Sequence, residues 1–158
     1  MENYIYSKPY SILDELCDEI IDTCKTIEIN DAKLLKTINS EIEDALENVQ
    51  RITNESNMNE YMLLNNYELL KFEKNKDYKS YSYDFKVLEG NVYSYYEFIF
   101  FLNTVEDGGE VEIMGKTKIR AEKGKLLIFP SGWCFPYCHK TPISDDQYLI
   151  RGKIFKKF

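Results

Sequence analysis

The chain has 158 residues, 44% hydrophobic and 30% charged, with 20 Lys and Arg against 27 Asp and Glu for a formal net charge of −7. That length and balance fit one domain over residues 1–158 with a packed core, and exclude a disordered chain. A pI of about 4.9 argues against nucleic acid as a partner, because phosphate backbones are held by basic clusters; no apolar run reaches the roughly 18 residues that span a bilayer.

Residues 1–55 read as a helical support. Ser11-Ile12-Leu13-Asp14 has the form of a capping box, in which hydroxyl and carboxylate satisfy the first free N–H groups of a helix. Leu13, Leu16, Cys17, Ile20, Ile21, Cys24 and Ile27 then recur at steps of three and four, the spacing of one helix face. A second helix is expected from Asp31 to Ile52, striped by Leu35, Ile38, Ile42, Leu46 and Val49, and the polar run Asn54 to Asn59 ends it as a loop.

From residue 60 to 158 the period changes to two. Strands are expected at Tyr67–Glu73, Tyr78–Phe85, Val92–Asn103, Glu110–Ile119, Lys125–Phe129, Trp133–His139 and Gln147–Phe155. Turn signals at Asn75, Glu89-Gly90-Asn91, Asp107-Gly108-Gly109, Lys123-Gly124 and Pro130-Ser131-Gly132 separate them. Short strands at this spacing make a sandwich or barrel. Helices first and sheet afterwards give an α+β order, with the helices packed on one sheet.

Chemistry-bearing residues are few. The chain holds 13 Tyr and 9 Phe but one Trp and one His, which limits any mechanism built on imidazoles. Cys17, Cys24, Cys134 and Cys138 match no usual zinc spacing and read as buried free thiols of a reducing compartment. Cys134-x-x-x-Cys138-His139 looks like half a zinc site with no second pair nearby. Met1-Glu2-Asn3-Tyr4 lacks the character of a secretory signal, so a cytoplasmic location is expected. No phosphate-binding Gly-rich loop and no Gly-x-Ser-x-Gly turn is present. Lys116-Thr117-Lys118-Ile119-Arg120 reads as a solvated basic face.

Several stretches together resemble one family. Pro9 to Cys24 is similar to its opening helix. Phe101-Leu102-Asn103 and Asp107-Gly108-Gly109-Glu110 are similar to its Tyr-Leu-Asn strand and Gly-Gly-Glu turn. Lys123 to Ser131, followed by Trp133, matches the segment that leads to its second metal histidine. The family is the prolyl 4-hydroxylase-type branch of the 2-oxoglutarate- and iron(II)-dependent oxygenases, above all its small phage and bacterial versions. The resemblance implies a double-stranded β-helix, or jelly roll, supported by N-terminal helices. It also implies iron(II) held by a His-x-Asp pair and a distal His, with 2-oxoglutarate gripped by a Lys.

Carried over residue by residue, the resemblance puts Tyr81 and Tyr83 at the His-x-Asp pair, Tyr137 at the distal His and Gln147 at the Lys. Every metal and cosubstrate residue is then replaced, and neither metal nor cofactor is expected. A shifted register offers only Asp84 and His139, the ligands of the alternative reading: an active hydroxylase using iron(II) and 2-oxoglutarate with unorthodox ligands. The tyrosines either pack as an inert aromatic core or line an open pocket with their hydroxyls. Arg151, four residues past Gln147 on the same strand face, either holds an anion in that pocket or pairs with an acidic neighbour at the strand end.

The sequence thus predicts a catalytically degenerate relative of these oxygenases serving as a binding or scaffold module. Its former active-site pocket would comprise Tyr81, Tyr83, Tyr137, Gln147, Arg151 and His139. A protein partner or a small anionic ligand is expected, with a phage virion or host-interaction role among the forms this could take, and a homo-oligomer stays open.

Overall fold

The computed structural model describes residues 4–23, 29–54, 61–77 and 80–158. Among them, two helices, α1 (Asp14–Thr23) and α2 (Ala32–Thr53), are followed by most of the strands. Asp31 caps α2 by accepting from the Leu34 N–H at 2.7 Å, which satisfies one of the free donors of the first turn. The capping box expected at Ser11 does not form. The Ser11 hydroxyl donates instead to Glu41 of α2 at 2.8 Å, beside the Lys8–Glu41 ion pair at 3.2 Å, and so fastens the entry of α1 to the second helix. The loop expected from Asn54 to Asn59 lies outside the described residues after Asn54, and so do Cys24 and Ile27 of the first helix face.

Among the described residues ten strands form two sheets. They are β1 (Tyr6–Lys8), β2 (Tyr61–Met62), β3 (Glu68–Phe72), β4 (Val87–Leu88), β5 (Val92–Phe101), β6 (Val111–Ile113), β7 (Thr117–Ile119), β8 (Leu126–Pro130), β9 (Tyr137–His139) and β10 (Gln147–Lys157). The larger sheet runs β1-β8-β5-β10-β2, with β3 also on β10 and β4 also on β5; the smaller runs β7-β6-β9. All pairings are antiparallel. The two sheets face each other as a jelly roll, and the helices cover the outer face of the larger one.

Alternation along the central strands sets this up. Phe98 and Phe100 of β5, Ile128 of β8 and Ile150 of β10 point toward Ile38, Ile42, Leu46 and Val49 of α2. Their neighbours Ile99, Phe101, Leu127, Phe129 and Leu149 point the other way and meet Val111, Ile113 and Tyr137 of the small sheet. With both faces covered, residues 96–102 are buried without a break, so this stretch reads as an apolar run rather than an alternating one.

Three expected strands differ. Glu110–Ile119 is a hairpin, β6 and β7, closed by Met114 (φ 55°) and Gly115 (φ 67°). The Lys116 N–H donates to the Ile113 carbonyl at 3.1 Å, the mirror-image two-residue turn that hairpin twist favours. The expected strand Tyr78–Phe85 begins outside the described residues, and of its described residues only Ser82 pairs, bridging Tyr137 of β9; Trp133–His139 is ordered as strand only from Tyr137. No described helix is long and apolar enough to cross a membrane.

Candidate functional site

The bridge between Ser82 and Tyr137 fixes the site. Each N–H donates to the other's carbonyl at 2.9 Å, so the two residues lie directly opposite and their side chains share one face. Tyr137 sits on the inner face against Phe129, with ring centroids 5.0 Å apart, and is only 5% exposed. Ser82 therefore faces inward, Asp84 returns to the same side, and Tyr81 falls outside.

These inward positions open onto a cleft of about 330 Å³ lined by Ser82, Asp84 and Tyr137, with Tyr83 at its edge. Five more charged groups line it: Glu68, Lys86, Glu97, Arg151 and Lys153. Their placement follows from register. Arg151 and Lys153 of β10 lie on the inner face at two-residue steps from Leu149. Arg151 stands opposite Glu68 of β3 and Lys153 opposite Glu97 of β5.

The charges are arranged in pairs. The Lys153 ammonium donates to Glu97 at 2.6 Å and to Asp84 at 2.8 Å. The Arg151 Nε donates to Glu68 at 2.9 Å, and the Tyr137 hydroxyl lies beside the same guanidinium. Burial pushes the Glu97 carboxyl above its ordinary value against the pull of Lys153. Burial works the same way on Asp84, but there the hydrogen bond and charge of Lys153 prevail and hold it below the usual range. Burial, reinforced by Glu97, pushes the Tyr137 phenol up to about 12, so it is a neutral donor at physiological pH.

The six residues expected to share one pocket are divided by the structure. Tyr137 and Arg151 line the cleft; Tyr83 stands at its rim, 60% exposed. Tyr81 lies on the outer face of the small sheet, where its hydroxyl donates to Glu112, itself paired with Lys140 at 3.1 Å and Lys118 at 3.7 Å. That hydrogen bond raises the Tyr81 phenol and lowers the Glu112 carboxyl. The expected register is therefore one residue off in this segment, because side chains alternate and Ser82, not Tyr81, faces Tyr137.

Gln147 and His139 lie inside the roll but do not line the cleft. Gln147 is fully buried and its Nε2 donates to the Gly109 carbonyl at 2.7 Å, which ties the start of β10 to the Gly-Gly turn. His139 stacks on Phe72 with centroids 4.7 Å apart, and neither ring nitrogen has a hydrogen-bond partner. Burial, with Arg151 nearby, lowers its pKa to about 4. Arg151 lines the cleft and pairs with the acidic Glu68, but it does so in the middle of β10 rather than at a strand end.

Of the thiols, Cys17 and Cys138 are buried as expected, whereas Cys134 is exposed on the loop before β9. Cys138 and His139 are consecutive strand residues on opposite faces, so they cannot converge on one zinc ion. Among the described residues no group of three His, Cys, Asp and Glu side chains is placed to hold a metal. As the chain has a single His, two histidines and a carboxylate cannot be assembled from it.

Sequence reasoning missed Ser82, Glu68, Glu97, Lys86 and Lys153. Two signals were present. Lys153 is two residues past Arg151 on the same strand face, and Glu97 is the lone charged residue of its strand.

No protein-family model and no curated protein matches this sequence. Solved structures do. A viral collagen prolyl hydroxylase from Paramecium Bursaria Chlorella virus-1 superposes with a TM-score of 0.78 at 14% identity, over 97% of this chain and 96% of that one. A Pseudomonas putida prolyl-4-hydroxylase gives 0.66 at 13% identity, over 98% and 89%. A prolyl 4-hydroxylase from Phytophthora capsici gives 0.64 at 14%, over 98% of this chain and 59% of that one. The fold is that of the prolyl 4-hydroxylase-type oxygenases.

Proposed function

We propose that this chain is a non-catalytic relative of the prolyl 4-hydroxylases that works as a binding module through its charged cleft. The observation that carries the reading is the Lys153 ammonium, 2.8 Å from Asp84. In the family's His-x-Asp pattern, the inward pair Ser82 and Asp84 supplies the carboxylate, and here that carboxylate already has a cation bound to it.

The remaining donors do not fit iron(II). Ser82 offers a hydroxyl and Tyr137 a phenol that stays protonated to about pH 12, where the metal takes neutral imidazole or deprotonated oxygen. Nor do the residues fit 2-oxoglutarate at the Lys position: Gln147 is neutral, and its amide N–H is used by Gly109. Asp84 lines the cleft while His139 is packed on Phe72, so the pair needed for an unorthodox iron centre does not converge.

The test is native mass spectrometry with manganese(II) and 2-oxoglutarate. The wild-type chain is expected to gain neither. The variant Ser82→His/Tyr137→His/Lys153→Met/Glu97→Leu is expected to gain manganese one to one, whereas Tyr81→His/Tyr83→Asp/Tyr137→His is not. One-to-one uptake by the wild type, with consumption of 2-oxoglutarate, would overturn the reading.

A further inference from the structure

We infer that the cleft recognises a small zwitterion, with an ammonium and a carboxylate on one molecule, rather than an anion. The inference rests on the binding-module reading and names the ligand class of the same cleft.

Charge balance is the first argument. Three carboxylates (Glu68, Asp84, Glu97) and three cations (Lys86, Arg151, Lys153) line one cleft of about 330 Å³, the size that encloses a small molecule. A ligand of a single sign would face three like charges at short range, and like-charge juxtaposition is costly in a partly desolvated site. A zwitterion leaves the balance unchanged and can address both signs at once.

Depth is the second argument. Lys153 and Glu97 form the floor, with side chains only 12% and 5% exposed, and the ammonium is already shared between two carboxylates. A pair this buried resists replacement. The Glu68–Arg151 pair is at the mouth, with side chains 45% and 38% exposed, where an ion pair contributes little and can be exchanged. Among the described residues Arg151 meets Glu68 through Nε, and Asp84 meets Lys153 through Oδ2. The mouth therefore presents a guanidinium backed by the Tyr137 hydroxyl for a ligand carboxylate. It also presents the Glu68 and Asp84 carboxylates for a ligand ammonium. An incoming carboxylate takes the place of Glu68 on Arg151, and the released Glu68 becomes an acceptor for the ammonium.

The experiment is isothermal titration of the full chain with a ladder of ω-amino acids (β-alanine, γ-aminobutyrate, δ-aminovalerate, ε-aminocaproate), each against the dicarboxylate and diamine of matching chain length. One member of the ladder is expected to bind at least tenfold more tightly than its dicarboxylate and diamine counterparts. Glu68→Gln, a near-isosteric change at a half-buried position, removes one carboxylate and is expected to move the preference toward the dicarboxylate. Arg151→Gln is expected to weaken the amino acid at least tenfold. Equal or tighter binding of the dicarboxylate by the wild type would overturn the inference. So would an absence of amino-acid binding up to ~10 mM, a weak-affinity limit. Those outcomes leave the non-catalytic reading intact, since that reading falls only on uptake of manganese and turnover of 2-oxoglutarate.

Discussion

Replacing His139 by Phe should remove an acid-sensitive component of stability. In the fold the imidazole is buried with a pKa of about 4, against about 6.5 in an unfolded chain. Between those values the unfolded state binds the proton and the folded state does not, so stability falls as pH falls. The contribution is fully present above pH ~6.5, costs about 2 kcal/mol at pH 5, and costs about 3 kcal/mol at pH 4. Because this is the chain's only histidine, the difference between wild type and His139→Phe isolates it from the carboxylates that titrate nearby. At neutral pH the variant loses no hydrogen bond, since neither ring nitrogen has a partner, and it keeps an aromatic ring against Phe72. Its neutral-pH stability should lie within about 1–2 kcal/mol of wild type, the range of a size change in a packed core. The assay is urea denaturation from pH 7.5 to 4.5, with His139→Leu as a second variant that relieves any overpacking. Parallel pH profiles for wild type and both variants would refute the reasoning, since they would mean that His139 is protonated in the fold as easily as outside it.

Three further outcomes follow from the packing. Lys153→Met leaves Glu97 buried without its counter-ion and should destabilise by about 3–5 kcal/mol, with most of the loss recovered in Lys153→Met/Glu97→Leu; a double-mutant cycle by denaturation reads this. Gly152→Ala should cost about 1–3 kcal/mol by overpacking, because the added methyl would lie 2.5 Å from Tyr67 and 2.6 Å from Phe98; an unchanged denaturation midpoint would contradict the close approach. Tyr81→Phe should leave any cleft binding measured by titration unchanged, because its hydroxyl is spent on Glu112 across the small sheet.

The helices and the long strands were legible because their patterns are strong. Ile38, Ile42, Leu46 and Val49 mark one face of α2, and the Asp31 cap falls where the stripe begins. The prolyl hydroxylase-like order of motifs carried the jelly roll. The site was less legible. A count along the chain places Tyr81 and Tyr83 at the pair positions, but a one-residue slip reverses every side chain in a strand, and only the cross-strand bonds of Ser82 and Tyr137 reveal it. The β6–β7 turn was hidden for a related reason: Met114 adopts a positive φ that sequence usually assigns to Asn, Asp or Gly. Lys153 and Glu97 could not be paired from sequence because they meet across two strands separated by 56 positions.

The ammonium of Lys153 has a consequence for how the cleft behaves in a living cell. A metal ion is exchangeable: it arrives according to supply, leaves to a chelator and changes charge with oxidation. A cation covalently attached to β10 does none of these. The charge that Lys153 places between Asp84 and Glu97 is therefore set at synthesis, and it does not vary with metal supply or with oxidation state.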